Sequence, residues 1–194
     1  MDSKNSNRTI LGIAAISLLC AVASLAKQDK RVGPAPAPAK PAGQVEMERL
    51  KFYLGEWLYT ETYPKSATDL SGRTNTGVYT SKPGPGGYSL INTFHSQGSA
   101  GDFEGMLILT YDLNEKAYKA YAFGNEFPGA IVETGAFEGD ALVFRAEWSI
   151  GGQVLKLRNV TRVMPNGTLE SDEFVGKTDG REELFVHVVA SRKK

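Results

Sequence analysis

From Gly55 to the C-terminus the chain runs in short stretches of strand-like composition, and no connection between them reaches the dozen residues that a parallel crossover requires. Such a chain can only fold back on itself, strand beside sequential strand. About ten runs are present: 55–63, 74–82, 88–96, 104–112, 116–124, 130–138, 141–149, 153–163, 168–177 and 183–192. Asn166-Gly167 and Asp179-Gly180 suit two-residue hairpin turns with positive φ at both central positions. Gly139-Asp140, Gly151-Gly152 and the stretch from Asp112 to Glu115 serve as further turns. Alternation gives each run two faces: Leu142, Phe144, Ala146 and Trp148 share one, Val143, Arg145 and Glu147 the other, and Leu155, Leu157 and Val163 oppose Lys156, Arg158 and Arg162. The last run, LFVHVVA, is apolar on both sides and is expected to be covered by the N-terminal helix or a loop. A meander of this length leaves two open edges unless it closes. The expected fold is therefore all-β, an antiparallel up-and-down barrel of about ten strands.

The segment before Gly55 has a different period. Val45, Met47 or Glu48, Leu50 and Leu54 fall near helical spacing, which predicts one short helix ended by Gly55 as its C-cap. Further upstream, Lys4 and Arg8 precede an uncharged, mostly apolar run from Ile10 to Ala26, with small residues at Ser24 and Ala26. That is the plan of a leader cleaved after Ala26, with an uncleaved membrane anchor as the alternative. Residues 27–43 (KQDKRVGPAPAPAKPAG) are a Pro/Ala-rich tether, extended and with nothing to bury. The expected organisation is thus a leader at 1–26, a linker at 27–43 and a barrel domain at 44–194, in an exported protein, periplasmic or secreted.

Composition narrows the function classes. Lys plus Arg total 22 and Asp plus Glu 22, so the basic excess that a nucleic-acid binder uses against phosphates is missing. Cys20 is the single cysteine and lies in the leader, which excludes a disulfide framework. His95 and His187 belong to no nucleophile or metal motif, so neither a catalytic residue nor a metal site is assigned. The PGPGG run at 83–87 lacks the amide donors and the following Lys-Ser or Lys-Thr of a phosphate loop. Glu170, Asp172, Glu173, Asp179, Glu182 and Glu183 read as the solvated face of the last hairpin. The sequons at Asn159 and Asn166 carry no assigned function.

With the helix, the Gly55-Glu56-Trp57 start of the first strand and the meander in place, the sequence resembles the calycin superfamily, whose lipocalins carry a G-x-W motif there. From ERLKFYLGEW through LTYD (109–112) to the terminal SRKK it is similar to an uncharacterised bacterial family of lipocalin-like barrels, the domain of unknown function 1579 type. The resemblance implies that Trp57 plugs one barrel end under a basic side chain of the last strand, Arg192 or failing it Arg181. A haem-binding relative of the nitrobindin type shares the G-x-W start and a proline after it, matched by Gly55, Trp57 and Pro64, with His187 where that type places its axial histidine. It spaces several glycines after the Trp, where this chain has Leu58, Tyr59, Thr60 and Glu61.

The functional expectation is an exported barrel, not an enzyme and with no cofactor assigned, whose interior holds a small apolar or amphipathic molecule. Candidate ligand contacts are Tyr59, Tyr118, Phe144, Trp148 and His187, with Tyr79 and Phe185 as further wall aromatics; Gly55, Trp57 and Arg192 are structural. No nucleic-acid partner is expected, and a membrane only through an uncleaved N-terminus. The competing classes are a filled barrel presenting a binding loop (62–75 or 96–102) and a haem protein using His187.

Overall fold

The computed structural model describes residues 39–65, 71–150, 152–176 and 180–194. The expected leader and the tether before residue 39 lie outside the described residues. Among those described, the chain forms helix α1 (Ala42–Glu48), a 3-10 turn (Lys51–Tyr53) and ten strands: β1 (Gly55–Tyr63), β2 (Arg73–Pro83), β3 (Ser89–Gly98), β4 (Gly101–Asp112), β5 (Ala117–Gly124), β6 (Phe127–Glu138), β7 (Ala141–Ile150), β8 (Gln153–Val163), β9 (Leu169–Gly176) and β10 (Glu182–Arg192). Every strand pairs antiparallel with its sequence neighbour, and β10 returns to β1, so the sheet is a closed barrel. Closure runs in register from Trp57 opposite Arg192 to Thr62 opposite His187. Among the described residues no sheet edge is left for another chain to extend.

The helix differs from its expected course. It begins at Ala42, inside the expected tether, where the Pro41 carbonyl accepts from the Gln44 and Val45 amides at 2.9 and 3.2 Å. It ends at Glu48, well short of Gly55, because Leu50 turns into the barrel and is fully buried. Met47 and Leu50 face inward while Val45 is exposed. With Leu90, Leu109, Tyr118, Leu142 and Phe144 they form the core cluster at one end of the barrel. Gly55 is the first residue of β1 and not a helix cap; its φ is +114°, and a Cβ there would lie 2.8 Å from Arg192 Nη1.

Turn chemistry is also corrected in detail. At Asn166-Gly167 only the glycine has positive φ. The Gly167 amide donates to Met164 O at 2.8 Å and the Met164 amide to Thr168 O at 2.9 Å, which makes a three-residue connection with Pro165 leading and Gly167 in the left-handed position. Gly139 alone has positive φ in the β6–β7 turn, and Asp179 lies outside the described residues. The β3–β4 hairpin is longer than its two expected runs, closing through Gly98 opposite Gly101. The double-sided apolarity of β10 comes from a bulge between Leu184 and Val186, which inserts Phe185 and shifts the register without a covering helix.

At the helix end, Trp57 is 1% exposed and its Nε1 donates to Tyr53 O at 2.8 Å. The Arg192 guanidinium lies over its ring at 4.4 Å and donates to Leu54 O at 2.7 Å, with a longer bond to Phe52 O at 3.4 Å. Tyr79 stacks on the indole at a centroid distance of 5.7 Å. Removing the indole would leave a void among these groups and leave Tyr53 O without its donor. Trp57→Ala is expected to lower the unfolding free energy by about 3–5 kcal/mol, read from guanidinium denaturation with an unchanged m-value.

Candidate ligand cavity

Above this plugged end the barrel encloses a cavity of about 830 Å³. Its lining runs from Tyr53, Tyr59 and Tyr79 near the plug to Pro64, Phe127, Trp148 and Phe185 at the opposite rim. The walls arise from period two: on β8 Leu155, Leu157, Asn159 and Thr161 reach the cavity, and on β9 Ser171, Glu173 and Val175 do so. The large rings need room, and the strand glycines supply it. A Cβ at Gly77 would fall 2.6 Å from Tyr59 Cζ, and one at Gly135 would fall 2.5 Å from Phe144 Cδ1. Each glycine thus lets an aromatic ring lie flat on the wall and leaves the barrel centre empty. At the rim, Phe127 meets Trp148 edge-on at 5.4 Å, and Phe185 meets Tyr63 in the same way at 5.6 Å.

The cavity is not purely apolar. Glu61 on β1, Glu133 on β6 and Glu173 on β9 line it. Glu61 accepts from Ser96 Oγ at 2.9 Å, inside the wall. Burial raises its pKa, against the hydrogen bonds that favour the ionised form. Glu133 and Glu173 have no hydrogen-bond or ion-pair partner among the described residues. Burial within the barrel, added to by neighbouring carboxylates, pushes both up to about 7. Asn92 on β3 is 5% exposed, lines the same space, and its Oδ1 accepts no hydrogen bond.

The residues expected to contact a ligand separate into three groups. Tyr59, Phe144 and Trp148 line the cavity, as do Tyr79 and Phe185. Tyr118 does not. It is buried beneath the helix, its hydroxyl donating to Glu46 Oε2 at 2.9 Å, with Tyr111 and Phe137 edge-on against its ring. Tyr118 therefore anchors α1 to the barrel end. His187 stands on the outer face, one residue out of phase with the lining residues Val186 and Val188, and its Nδ1 lies 2.7 Å from Asp172 Oδ1. That placement removes the expected role of His187 in orienting or axially ligating a molecule in the interior. His95 is likewise outside, with Nε2 2.7 Å from Asp102, so the two histidines do not meet across the barrel. No cluster of three metal-ligating side chains occurs among the described residues.

The carboxylates are what the sequence reading missed. The acidic stretch of the last hairpin is only partly a solvated face: Glu182 pairs with Arg158 at 2.9 Å and Asp172 with His187, but Glu173 points into the cavity. The signal lay in parity. Once Trp57 faces inward, Tyr59, Glu61 and Tyr63 must follow, and once Leu169 faces inward, so must Glu173.

The family described as protein of unknown function DUF1579 matches residues 43–192. No curated protein matches the chain. Among solved structures, Rv2717c from M. tuberculosis is similar with a TM-score of 0.56 and 12% identity, covering 76% of this chain and 97% of that one. The S-type phycobiliprotein lyase CPES from Guillardia theta is similar with a TM-score of 0.52 and 9% identity, covering 80% of this chain and 99% of that one. At such identities the likeness is one of fold.

The raised carboxyls give the barrel a pH dependence of definite sign. Unfolded, Glu133 and Glu173 ionise near 4.5; folded, they ionise near 7. Between those values the unfolded chain holds fewer protons, so stability present below pH 4.5 is lost as pH rises through 7. The melting temperature is expected to fall from pH 5 to pH 7.5, and the double variant Glu133→Gln/Glu173→Gln to flatten that slope. Differential scanning calorimetry across this range measures both.

Proposed function

Because the chain belongs to the DUF1579 family, whose description assigns no activity, we propose from the site itself that it is a non-catalytic binding module holding one small amphipathic molecule inside the barrel. The observation that carries this is the cavity: about 830 Å³, walled mainly by aromatic and aliphatic side chains, with a few polar groups deep inside. That volume and lining are those of small-molecule sites, and an eight- to ten-stranded barrel is wide enough to hold one ligand. A filled barrel that only presents loops is the weaker reading, since packed interiors do not leave a void of this size. A haem protein using His187 lacks support, because that imidazole faces the outer wall beside Asp172.

The test is titration with a neutral apolar fluorophore, N-phenyl-1-naphthylamine, followed by its emission and by calorimetry. Saturable binding near one per chain, with a negative heat-capacity change, is expected. The cavity-filling variant Leu157→Trp should abolish binding while the far-ultraviolet circular dichroism stays that of the parent. Absence of saturable binding in the parent would overturn the proposal.

We also propose that the module is exported and that its Pro/Ala tether spaces the barrel from whatever the N-terminus engages. What supports this is the arrangement of Lys4, Arg8, the apolar run to Ala26 and the small residues before the cut. Intact-mass analysis of protein expressed in its native host is expected to begin at Lys27; full-length protein in a soluble cytoplasmic fraction would contradict it.

A further inference from the structure

We propose that the molecule this cavity selects carries a cationic head, a protonated amine or another N–H-bearing cation on an apolar body, with the head among Glu61, Glu133 and Glu173 and the body against Phe127, Phe144 and Trp148. The inference rests on the binding reading and adds to it the charge class of the ligand.

Two independent observations point the same way. The first is the set of carboxyls. Three strands, β1, β6 and β9, each place a glutamate at an inward position, and Glu133 and Glu173 meet no cation or hydrogen-bond donor among the described residues. A carboxylate enclosed by protein without a partner is costly, and a fold gains nothing from two of them unless something else completes the site. The second is Asn92, almost wholly buried on β3, whose Oδ1 is an acceptor without a donor in the same lining. The interior therefore holds unpaired acceptors, and its unpaired hydroxyls, Tyr59 and Tyr79, can accept as well as donate. A ligand that matches it brings donors, and a cation brings them with charge.

The wider lining agrees. Among the described residues five glutamates border the cavity, Glu126 and Glu183 joining the three inner ones, against one basic residue, Arg73, whose guanidinium lies 5.1 Å over the Tyr63 ring at the rim. The other titratable groups facing the acids are Tyr53, Tyr59, Tyr63 and Tyr79, all shifted upward by burial and so protonated at neutral pH. A carboxylate or phosphate ligand would enter a low-dielectric space lined with its own sign of charge. A cation would instead favour the ionised form of Glu133 and Glu173, which near neutrality are about half protonated, so its entry is coupled to proton release. An alkyl cation fits better than a bare metal ion, because no cluster of three ligating groups is formed among the described residues.

The experiment compares decylammonium, decanol and decanoate, each below its micelle concentration, by isothermal titration calorimetry at pH 7 in two buffers of different ionisation enthalpy. Decylammonium is expected to bind at least ~10-fold more tightly than decanol, and decanoate at least ~10-fold more weakly, the ratio that one pKa unit of differential interaction represents. Only decylammonium should release protons. In Glu133→Gln/Glu173→Gln the ammonium preference and the proton release should disappear while decanol affinity stays within about threefold. The proton release in the parent tests the idea without any variant. Decanoate binding as tightly as decylammonium, or an ammonium preference that survives the double substitution, would overturn the inference and leave the binding reading standing. No saturable binding of any of the three would overturn both.

Discussion

Closure of the barrel depends on the bracket that Arg192 makes between the last strand and the segment entering the first. Its guanidinium covers Trp57 and donates to Leu54 O, so the chain's C-terminal strand is tied to the turn just before β1. A cation over an indole contributes about 0.5–2 kcal/mol, and the charge-assisted bond to a backbone carbonyl adds to it. The location matters more than the size. β1 and β10 are the two ends of the meander, and their pairing has the largest sequence separation in the sheet. Gly55 is part of the same device, since a side chain there would occupy the space of the guanidinium.

Plugging one end makes the other available. The bulk of Trp57, Tyr118, Leu50 and Met47 is concentrated at the barrel end that the helix and the 3-10 turn cover, and the upper barrel is left with rings laid against glycines. A core packed to ordinary density throughout would be more stable, and so would one without carboxyls inside. Both departures coincide in the same space. Local rules broken together at one place, while the rest of the fold keeps them, are what a functional site looks like.

Most of the fold was legible in the sequence because it rests on period two and on short connections, which are local properties. The runs at 55–63 and 153–163 match β1 and β8 residue for residue. The helix was misplaced because its pattern was read through to Gly55, whereas Leu50 enters the barrel and breaks it. The Asn166-Gly167 turn was misread because the preceding Pro165 fixes a longer connection with only one left-handed residue. His187 was misassigned because LFVHVVA has no parity of its own; the bulge at Phe185 sets its phase, and a bulge is a product of pairing with β9.

Glu173 faces inward against the local pattern of its own strand, and packing elsewhere on β9 holds it there. In LESDEFVG an isolated reading would bury Phe174 and expose Glu173. The opposite occurs: Phe174 packs on the outside with Ala141, Val143 and Val160, and Arg158 lies 4.1 Å over its ring while pairing with Glu182. A slip of one residue would reverse every side chain of β9 and place the phenyl ring in the cavity. It would also carry Leu169 out of the Trp57 cluster and remove Phe174 from beneath Arg158. The outer apolar patch and the inner leucine together hold the register, and the carboxyl is carried inward by them. The acid in the cavity is thus held by packing at both ends of one strand, away from the acid itself.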